Sequence, residues 1–285
     1  MTGALAPGQI ARRDGALYDY LEPLLRTRGA TLDHAQAAAL DRLQALCDEL
    51  AAFRAARQSK FLRLLAPPAV PRGLYLWGGV GRGKSFLMDS FHACAPLKRK
   101  TRVHFHAFMR EVHEELKLQK HEVDPLAAVA ARIARRWRLV CFDEFHVSDI
   151  ADAMILGRLL AALFAAGVVF VMTSNYPPDG LYPNGLQRQN FVPTIRLMQQ
   201  WLDVMEVDGG IDYRLRALEH VAAYHVPGGP AADAAMASAF EAMRTGPDES
   251  PKLLVEGRTL TARRRAGSAV WFDFAALCDG PRSQR

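Results

Sequence analysis

The stretch Gly73–Asp89, GLYLWGGVGRGKSFLMD, constrains this chain more than any other. It reads as a short apolar strand, a glycine-rich turn and the first turns of a helix. Within it, Gly78-x-x-x-x-Gly83-Lys84-Ser85 fits the pattern of a phosphate-binding loop, in the strand-to-helix context that the pattern requires. Glycines let successive backbone N–H groups turn inward around a β-phosphate. The following helix adds the positive end of its dipole, and Lys84 can reach the β- and γ-phosphates. Gly78, Gly79, Val80, Gly81, Arg82, Gly83, Lys84, Ser85 and Phe86 are the expected nucleotide-binding residues, with the Ser85 hydroxyl on Mg²⁺. By itself such a loop does not choose among kinase, GTPase, transport ATPase and AAA+ motor.

Leu139-Val-Cys-Phe-Asp143-Glu144 supplies a second half for such a site. Apolar residues lead straight into two carboxylates, which a parallel sheet places at the carboxyl end of a central strand, where these folds bind ligands. This is a Walker B arrangement. Asp143 would share the Mg²⁺ shell with Ser85, and Glu144 would orient and polarise the water that attacks the γ-phosphate. An adjacent glutamate favours hydrolysis over transfer to a small acceptor. The letters Asp143-Glu144-Phe145-His146 also spell a DExH box, but helicases of that kind need a second RecA-like domain, and no second set of core strands follows.

A helix over Ile150–Ala166 and a strand over Val168–Met172 lead to Thr173-Ser174-Asn175, polar residues at the end of another core strand. Asn175, with Thr173 next, is placed to reach between the acidic pair and the γ-phosphate, the sensor-1 role of AAA+ proteins. Pro177–Met198 then reads as turn residues, a short helix holding Arg188 and a second helix from about Pro193. Oligomeric motors place an arginine there that reaches a neighbour's γ-phosphate; Arg188 is the candidate and Arg196 the substitute. Trp201–Val207 would be the last core strand. Lys84, Asp143, Glu144, Asn175 and Arg188 form the expected catalytic set.

The rest of the chain divides around this core, predicted over 72–218. Residues 1–71 read as a largely helical N-terminal extension: irregular chain with one short helix around Leu17–Leu21, then a helix capped by Thr31 or Asp33 with Leu40, Leu43, Leu46, Leu50 and Phe53 at three- and four-residue spacing. Pro67, Pro68 and Pro71 end it. The basic run Lys98–Arg102, KRKTR, reads as a solvated loop, and Val103–Phe108 as a strand with His104 and His106 on one face, where packing is preferred to metal binding. Helices follow over Met109–Lys120 and Asp124–Trp137, the second with Asp124 as N-cap and Pro125 at its first position. Residues 219–285 read as a small, partly β region: a helix near Ala231–Met243, strands over Lys252–Val255 and Ala269–Phe274, and no clear helical lid. The fold class expected is α/β, an AAA+ P-loop NTPase with a parallel sheet flanked by helices.

A net charge of +6 and a pI near 9.3 permit an acidic partner such as nucleic acid or an anionic membrane surface. Cys47, Cys94, Cys141 and Cys278 are far apart, with no CxxC pair and no secretory signal ahead of them, which points to a reducing, intracellular setting. The run Ala153–Met172 carries Arg158 as its only charge and has the length of a bilayer span, but Gly167 divides it into a helix-like and a strand-like half.

The wording of these motifs, YLWGGVGRGKSFLMD, RVHFHAFM, CFDEFHVSDIADAMILGRLL, TSNYPP, GLQRQNF and DYRLR, closely resembles the ZapE family of bacterial division-associated ATPases and their mitochondrial AFG-like relatives. The resemblance runs from about Leu32 to the C-terminus. It implies an ATPase using ATP and Mg²⁺, cytoplasmic or peripheral at the inner membrane, that influences the division ring in bacteria or protein quality control in mitochondria. It matches Gly78–Ser85 to the family's nucleotide loop, Asp143 and Glu144 to its Walker B pair, Asn175 to its sensor and Arg188 to its arginine finger. The family pattern continues beyond WFDFAALCDGPRSQR, so the resemblance also implies a chain truncated at its C-terminus and lacking part of its lid. The leading expectation is an ATPase that forms a homo-oligomer with ATP and remodels a protein partner of the division machinery. The alternative is a nucleotide-dependent nucleic-acid binder of the loader or helper type.

Overall fold

Five strands, β1 (Gly73–Trp77), β2 (Lys100–His104), β3 (Leu139–Asp143), β4 (Val169–Ser174) and β5 (Leu202–Glu206), pair side by side in the order β2–β3–β4–β1–β5, every pair parallel. The computed structural model describes residues 15–27, 31–58, 69–119, 122–208, 226–244, 246–255, 258–267 and 269–279. They fall in two compact units, Met1–Tyr213 and Arg214–Arg285. β3 and β4 are buried at every residue, as continuous apolar runs covered on both faces should be. Because all five strands run the same way, their carboxyl ends share one edge of the sheet. His104 lies opposite Asp143 there, and Leu76 opposite Thr173.

One face of the sheet is covered by α1 (Ala16–Thr27), α2 (His34–Gln58) and α3 (Lys84–Cys94). Leu17, Leu21, Leu40, Leu43, Leu46 and Leu50 pack with Leu74 and Leu76 of β1 and with Leu87, Met88 and Phe91 of α3. Each such side chain contributes about 1.5–3 kcal/mol by leaving water. The other face carries α4 (Phe105–Leu118), α5 (Pro125–Arg136), α6 (Ile150–Ala165) and α7 (Arg188–Trp201), around Tyr75, Phe142, Phe145 and Phe170. Local chemistry sets the helix ends. Asp33 and Gln36 exchange backbone-to-side-chain hydrogen bonds at the start of α2, a capping box. Asp124 caps α5, with Pro125 at its first position, and Asp149 caps α6. Gly167, at φ 75, takes the left-handed turn that ends α6.

Several expectations are corrected. The basic run is not a solvated loop. Lys100 opens β2, and its Nζ donates to the carbonyls of His92, Ala93 and Ala95 at the end of α3. Arg99 donates to those of Ala134 and Arg136 at the end of α5. Helix C-termini leave unpaired carbonyls at the negative end of the dipole, and these cations meet them. The strand expected over Val103–Phe108 stops at His104. Phe105, Phe108, Met109 and Val112 carry a helical period that buries one face of α4, so His104 and His106 share no strand face. No metal-ligating cluster occurs among the described residues. The two helices expected across 188–198 are one: α7 runs through Pro193, which forfeits one backbone bond early in the helix. The helix at Leu17–Leu21 is longer, Ala16–Thr27. The expectation of irregular chain over residues 1–14, the prolines 67 and 68, and the DYRLR motif lie outside the described residues.

The second unit holds α8 (Pro230–Met243), two antiparallel hairpins, β6 (Lys252–Val255) with β7 (Arg258–Thr261) and β8 (Arg264–Ala266) with β9 (Ala269–Trp271), and α9 (Phe274–Cys278). The strand expected over Ala269–Phe274 ends at Trp271, because Phe274 begins α9. Phe240, Ala266 and Ala269 are its small buried core. No helix among the described residues is long and apolar enough to cross a membrane. The run Ala153–Met172 divides into α6 and β4.

Candidate active site

The turn between β1 and α3 is built on glycines that admit no side chain. A methyl at Gly78, φ 151, would stand 2.5 Å from the Val207 carbonyl oxygen, and one at Gly83, φ 76, would stand 2.9 Å from Gln36 Nε2. Gln36, buried at the start of α2, donates to the Arg82 carbonyl at 2.9 Å. Arg82 is itself paired with Asp208 just beyond β5, Nε to Oδ1 3.0 Å. The loop is thus clamped from two sides, by Gln36 and by Asp208. Val80 is exposed at its tip, and Phe86 is half-buried against the core.

Lys84, the first residue of α3, is buried and lies across its own loop. Its Nζ donates to Gly78 O at 2.8 Å, Gly79 O at 2.6 Å and Asn175 Oδ1 at 3.3 Å. The next residue turns toward β3: Ser85 Oγ donates to Asp143 Oδ1 at 2.9 Å. The same oxygen accepts from Thr173 Oγ1 at 2.7 Å. Its partner oxygen, Oδ2, lies 2.6 Å from Arg102 Nη2, and Arg102 Nε pairs with Asp89 Oδ1 at 2.5 Å. Asp143 is only 3% exposed, so its charge is met within the protein from both sides.

Glu144 stands beside this cluster in a left-handed backbone conformation, φ 53, with its side chain exposed and 3.9 Å from His104 Nδ1. A non-glycine residue in that region costs of order 1 kcal/mol or more and persists where its surroundings hold it. Here Thr173 does so twice, accepting from Glu144 N on its hydroxyl at 3.2 Å and from Phe145 N on its carbonyl at 2.7 Å. Lys84, Ser85, Asp143 and Asn175 are therefore brought to one point from three elements, with Glu144 at its rim. Arg188 is not among them: it begins α7 and donates to the Asp179 carbonyl at 2.7 Å. Arg196 is exposed on the same helix.

Sequence reasoning did not single out Gln36 or Arg102. The spacing from Asp33 to Gln36 was a usable signal for the first. Nothing in the sequence pointed to the second, because its contact depends on strand register. The donor set fits a magnesium triphosphate: a hydroxyl and a carboxylate are the hard oxygen ligands that Mg²⁺ takes, beside a lysine and a loop that a Cβ would fill.

A parallel sheet with a phosphate loop after β1, an acidic pair at the end of β3 and a polar residue beyond β4 defines a P-loop NTPase of the AAA+ type. Residues 17–285 match the AFG1-like ATPase family, and the chain belongs to it. It is 48% identical over 214 residues to the cell division protein ZapE of Escherichia coli K12, a match covering 75% of this chain and 57% of that protein. It is 41% identical over 229 residues to lactation elevated protein 1 homolog B of Danio rerio, covering 75% and 46%. The chain thus spans about half the length of the curated relatives it matches. Among solved structures, the replication initiator DnaA bound to AMPPCP and single-stranded DNA aligns with a TM-score of 0.47 at 13% identity, over 70% of this chain and 55% of that one. DnaI aligns at 0.44 and 17%, over 63% and 85%.

Proposed function

We propose that this chain is an ATP-hydrolysing AAA+ protein that assembles with copies of itself and couples turnover to remodelling of a protein partner in bacterial cell division. It would act in the cytoplasm or peripherally at the division site. The observation that carries the reading is the pair of contacts Ser85 Oγ to Asp143 Oδ1, 2.9 Å, and Lys84 Nζ to Asn175 Oδ1, 3.3 Å. They tie the phosphate loop to the ends of β3 and β4. Membership of an ATPase family supports the hydrolysis, and the likeness to ZapE supports the division setting.

Lys84 would exchange its loop carbonyls for β- and γ-phosphate oxygens, which repay a desolvated ammonium better than neutral acceptors do. Ser85 and Asp143 would hold the Mg²⁺. When bound, the ion supplies neutralisation of the phosphate charge. Glu144, exposed at the rim, would orient the attacking water and draw off its proton. Asn175 would sit between that water and the γ-phosphate, and Arg188 would enter the site of a neighbouring subunit.

Glu144→Gln keeps the shape and removes the base, so ATP turnover should fall about 10²–10⁴-fold while nucleotide binding survives. Equal turnover by wild type and variant in a steady-state phosphate-release assay would overturn the hydrolytic reading.

A further inference from the structure

The chain leaves an unusual charge at the end of the sheet opposite the nucleotide loop. From Ala51 to Met88, Ser90 to Arg110, Pro125 to Phe142 and Ala153 to Pro178 it contains no aspartate or glutamate. These segments supply β1 to β4 and their approaches, so the N-terminal ends of these strands collect cations with no carboxylate of their own. Arg99 and Arg138 stand immediately before β2 and β3, which are neighbours, and Arg138 N donates to Arg99 O at 2.7 Å. Arg57 comes up beside them from the last turn of α2. Gly167, just before β4, lies beside two of them: a methyl there would be in van der Waals contact, 3.5 Å from Val70 Cγ2, 3.7 Å from Arg57 Nη1 and 3.9 Å from Arg138 Nη1.

Part of this charge has a structural use. Arg138 Nη1 donates to the Ala166 carbonyl at 2.5 Å, and Arg99 gives Nε and Nη2 to the end of α5. A guanidinium carries five donors, so each of these keeps some free. Arg57 has no hydrogen bond or ion pair with the described residues; its contact is the Phe53 ring, 5.5 Å from its carbon. None of the three is paired with a carboxylate among the described residues, whereas Arg72, before β1, is paired with Asp203. Burial, and then the charges of Arg57 and Arg99, push the Arg138 guanidinium below its ordinary pKa, in keeping with like charges crowded together and uncompensated.

We propose that Arg57, Arg99 and Arg138, gathered at the N-terminal ends of β2 to β4 beside Gly167, form a binding site for a phosphate-class oxyanion, separate from the nucleotide loop. Guanidinium groups favour such ligands because their planar forks match tetrahedral oxygens and are weakly hydrated. Two are held by backbone carbonyls, so little order is lost on binding. The site does not rest on the hydrolytic reading, and stands or falls without it.

The test uses the full chain saturated with magnesium and a non-hydrolysable ATP analogue, so that the phosphate loop is filled, and inorganic phosphate as the probe. Calorimetric titration at constant ionic strength should show phosphate binding, weakened about tenfold in Arg57→Gln, the loss of one charge-assisted hydrogen bond. Arg57→Gln breaks no hydrogen bond to a helix-end carbonyl among the described residues, unlike removal of Arg138, so its folding cost is smaller, and unchanged nucleotide binding by it confirms an intact fold. No phosphate binding by the wild type, or equal binding by the variant, would overturn the site. Sedimentation with phosphatidylglycerol vesicles, against phosphatidylcholine vesicles and with phosphate as competitor, assigns the source. Phosphate-sensitive pelleting that Arg57→Gln loses places the site on a lipid headgroup; phosphate binding without pelleting places it on a soluble phosphate compound.

Discussion

Arg102 Nη2 stands 2.6 Å from Asp143 Oδ2, the carboxylate oxygen that neither Ser85 nor Thr173 uses. A buried acid at the end of β3 thus has one oxygen held by hydroxyls and the other by a cation from the neighbouring strand. Arg102 sets the direction of the oxygen that Ser85 shares, and it also reaches Asp89 on α3.

Removing Arg102 leaves that carboxylate buried and partly unmet. Arg102→Ala should destabilise the protein by about 1–3 kcal/mol and lower ATP turnover, while Arg102→Lys, which keeps the charge without the fork, recovers part of both. Asp89→Ala, whose side chain is half exposed, should do much less. Thermal melts of the three variants beside their phosphate-release rates check this; an Arg102→Ala melt within error of wild type would contradict it.

Gln36 ties the start of α2 to the phosphate loop, and its loss acts on both. Gln36→Ala removes the bond to Arg82 O and half of the capping box with Asp33, at about 1–2 kcal/mol. The loop should loosen as well as the helix. Nucleotide affinity, measured with a fluorescent ATP analogue, should fall more in Gln36→Ala than in Asp33→Ala, which weakens only the cap.

His92 gives the stability a pH dependence. It sits on α3 with Nε2 buried and without a hydrogen-bond partner among the described residues, and burial, helped by the charges of Lys100 and Arg102 against that of Asp89, lowers its pKa. The unfolded chain therefore takes up a proton first. Stability is at full value above the unfolded pKa of about 6.5 and falls as pH drops below it. His146 is lowered in the same direction, by burial and by His106. Urea midpoints should decline on acidification through this window, and His92→Gln should flatten the decline without abolishing it.

The parts of the site legible in sequence are those written in consecutive residues. Gly78–Ser85 and Asp143–Glu144 each combine a strand with the turn after it, so local pattern placed them on the carboxyl edge. Arg102 was illegible because its meaning lies in register: it sits opposite Cys141, one strand away from an acid 41 residues on. The histidines misled for a related reason. Val103–Phe108 alternates like a strand, but Phe105, Phe108 and Met109 also fit a helix, and packing against Phe142 and Phe145 decided for α4. Pro193 likewise suggested a helix start where the chain had already begun one at Arg188.

Arg188 is the residue whose role depends on a second copy of the chain. It lies outside the cluster around Asp143, at the start of α7, with a backbone carbonyl as its hydrogen-bond partner. A finger acting in trans predicts that Arg188→Ala alone is inactive, because every site lacks its incoming charge, while nucleotide still binds. Lys84→Ala is inactive for the opposite reason, a site that cannot hold nucleotide but that still offers its own Arg188. Mixed, the two should regain turnover at those interfaces where an intact loop meets an intact arginine, reaching at most a fraction of wild type. A phosphate-release assay across mixing ratios reads this, with the arginine variant repeated at Arg196 as the comparison. Mixtures no more active than their separate components would remove Arg188 from the neighbouring site.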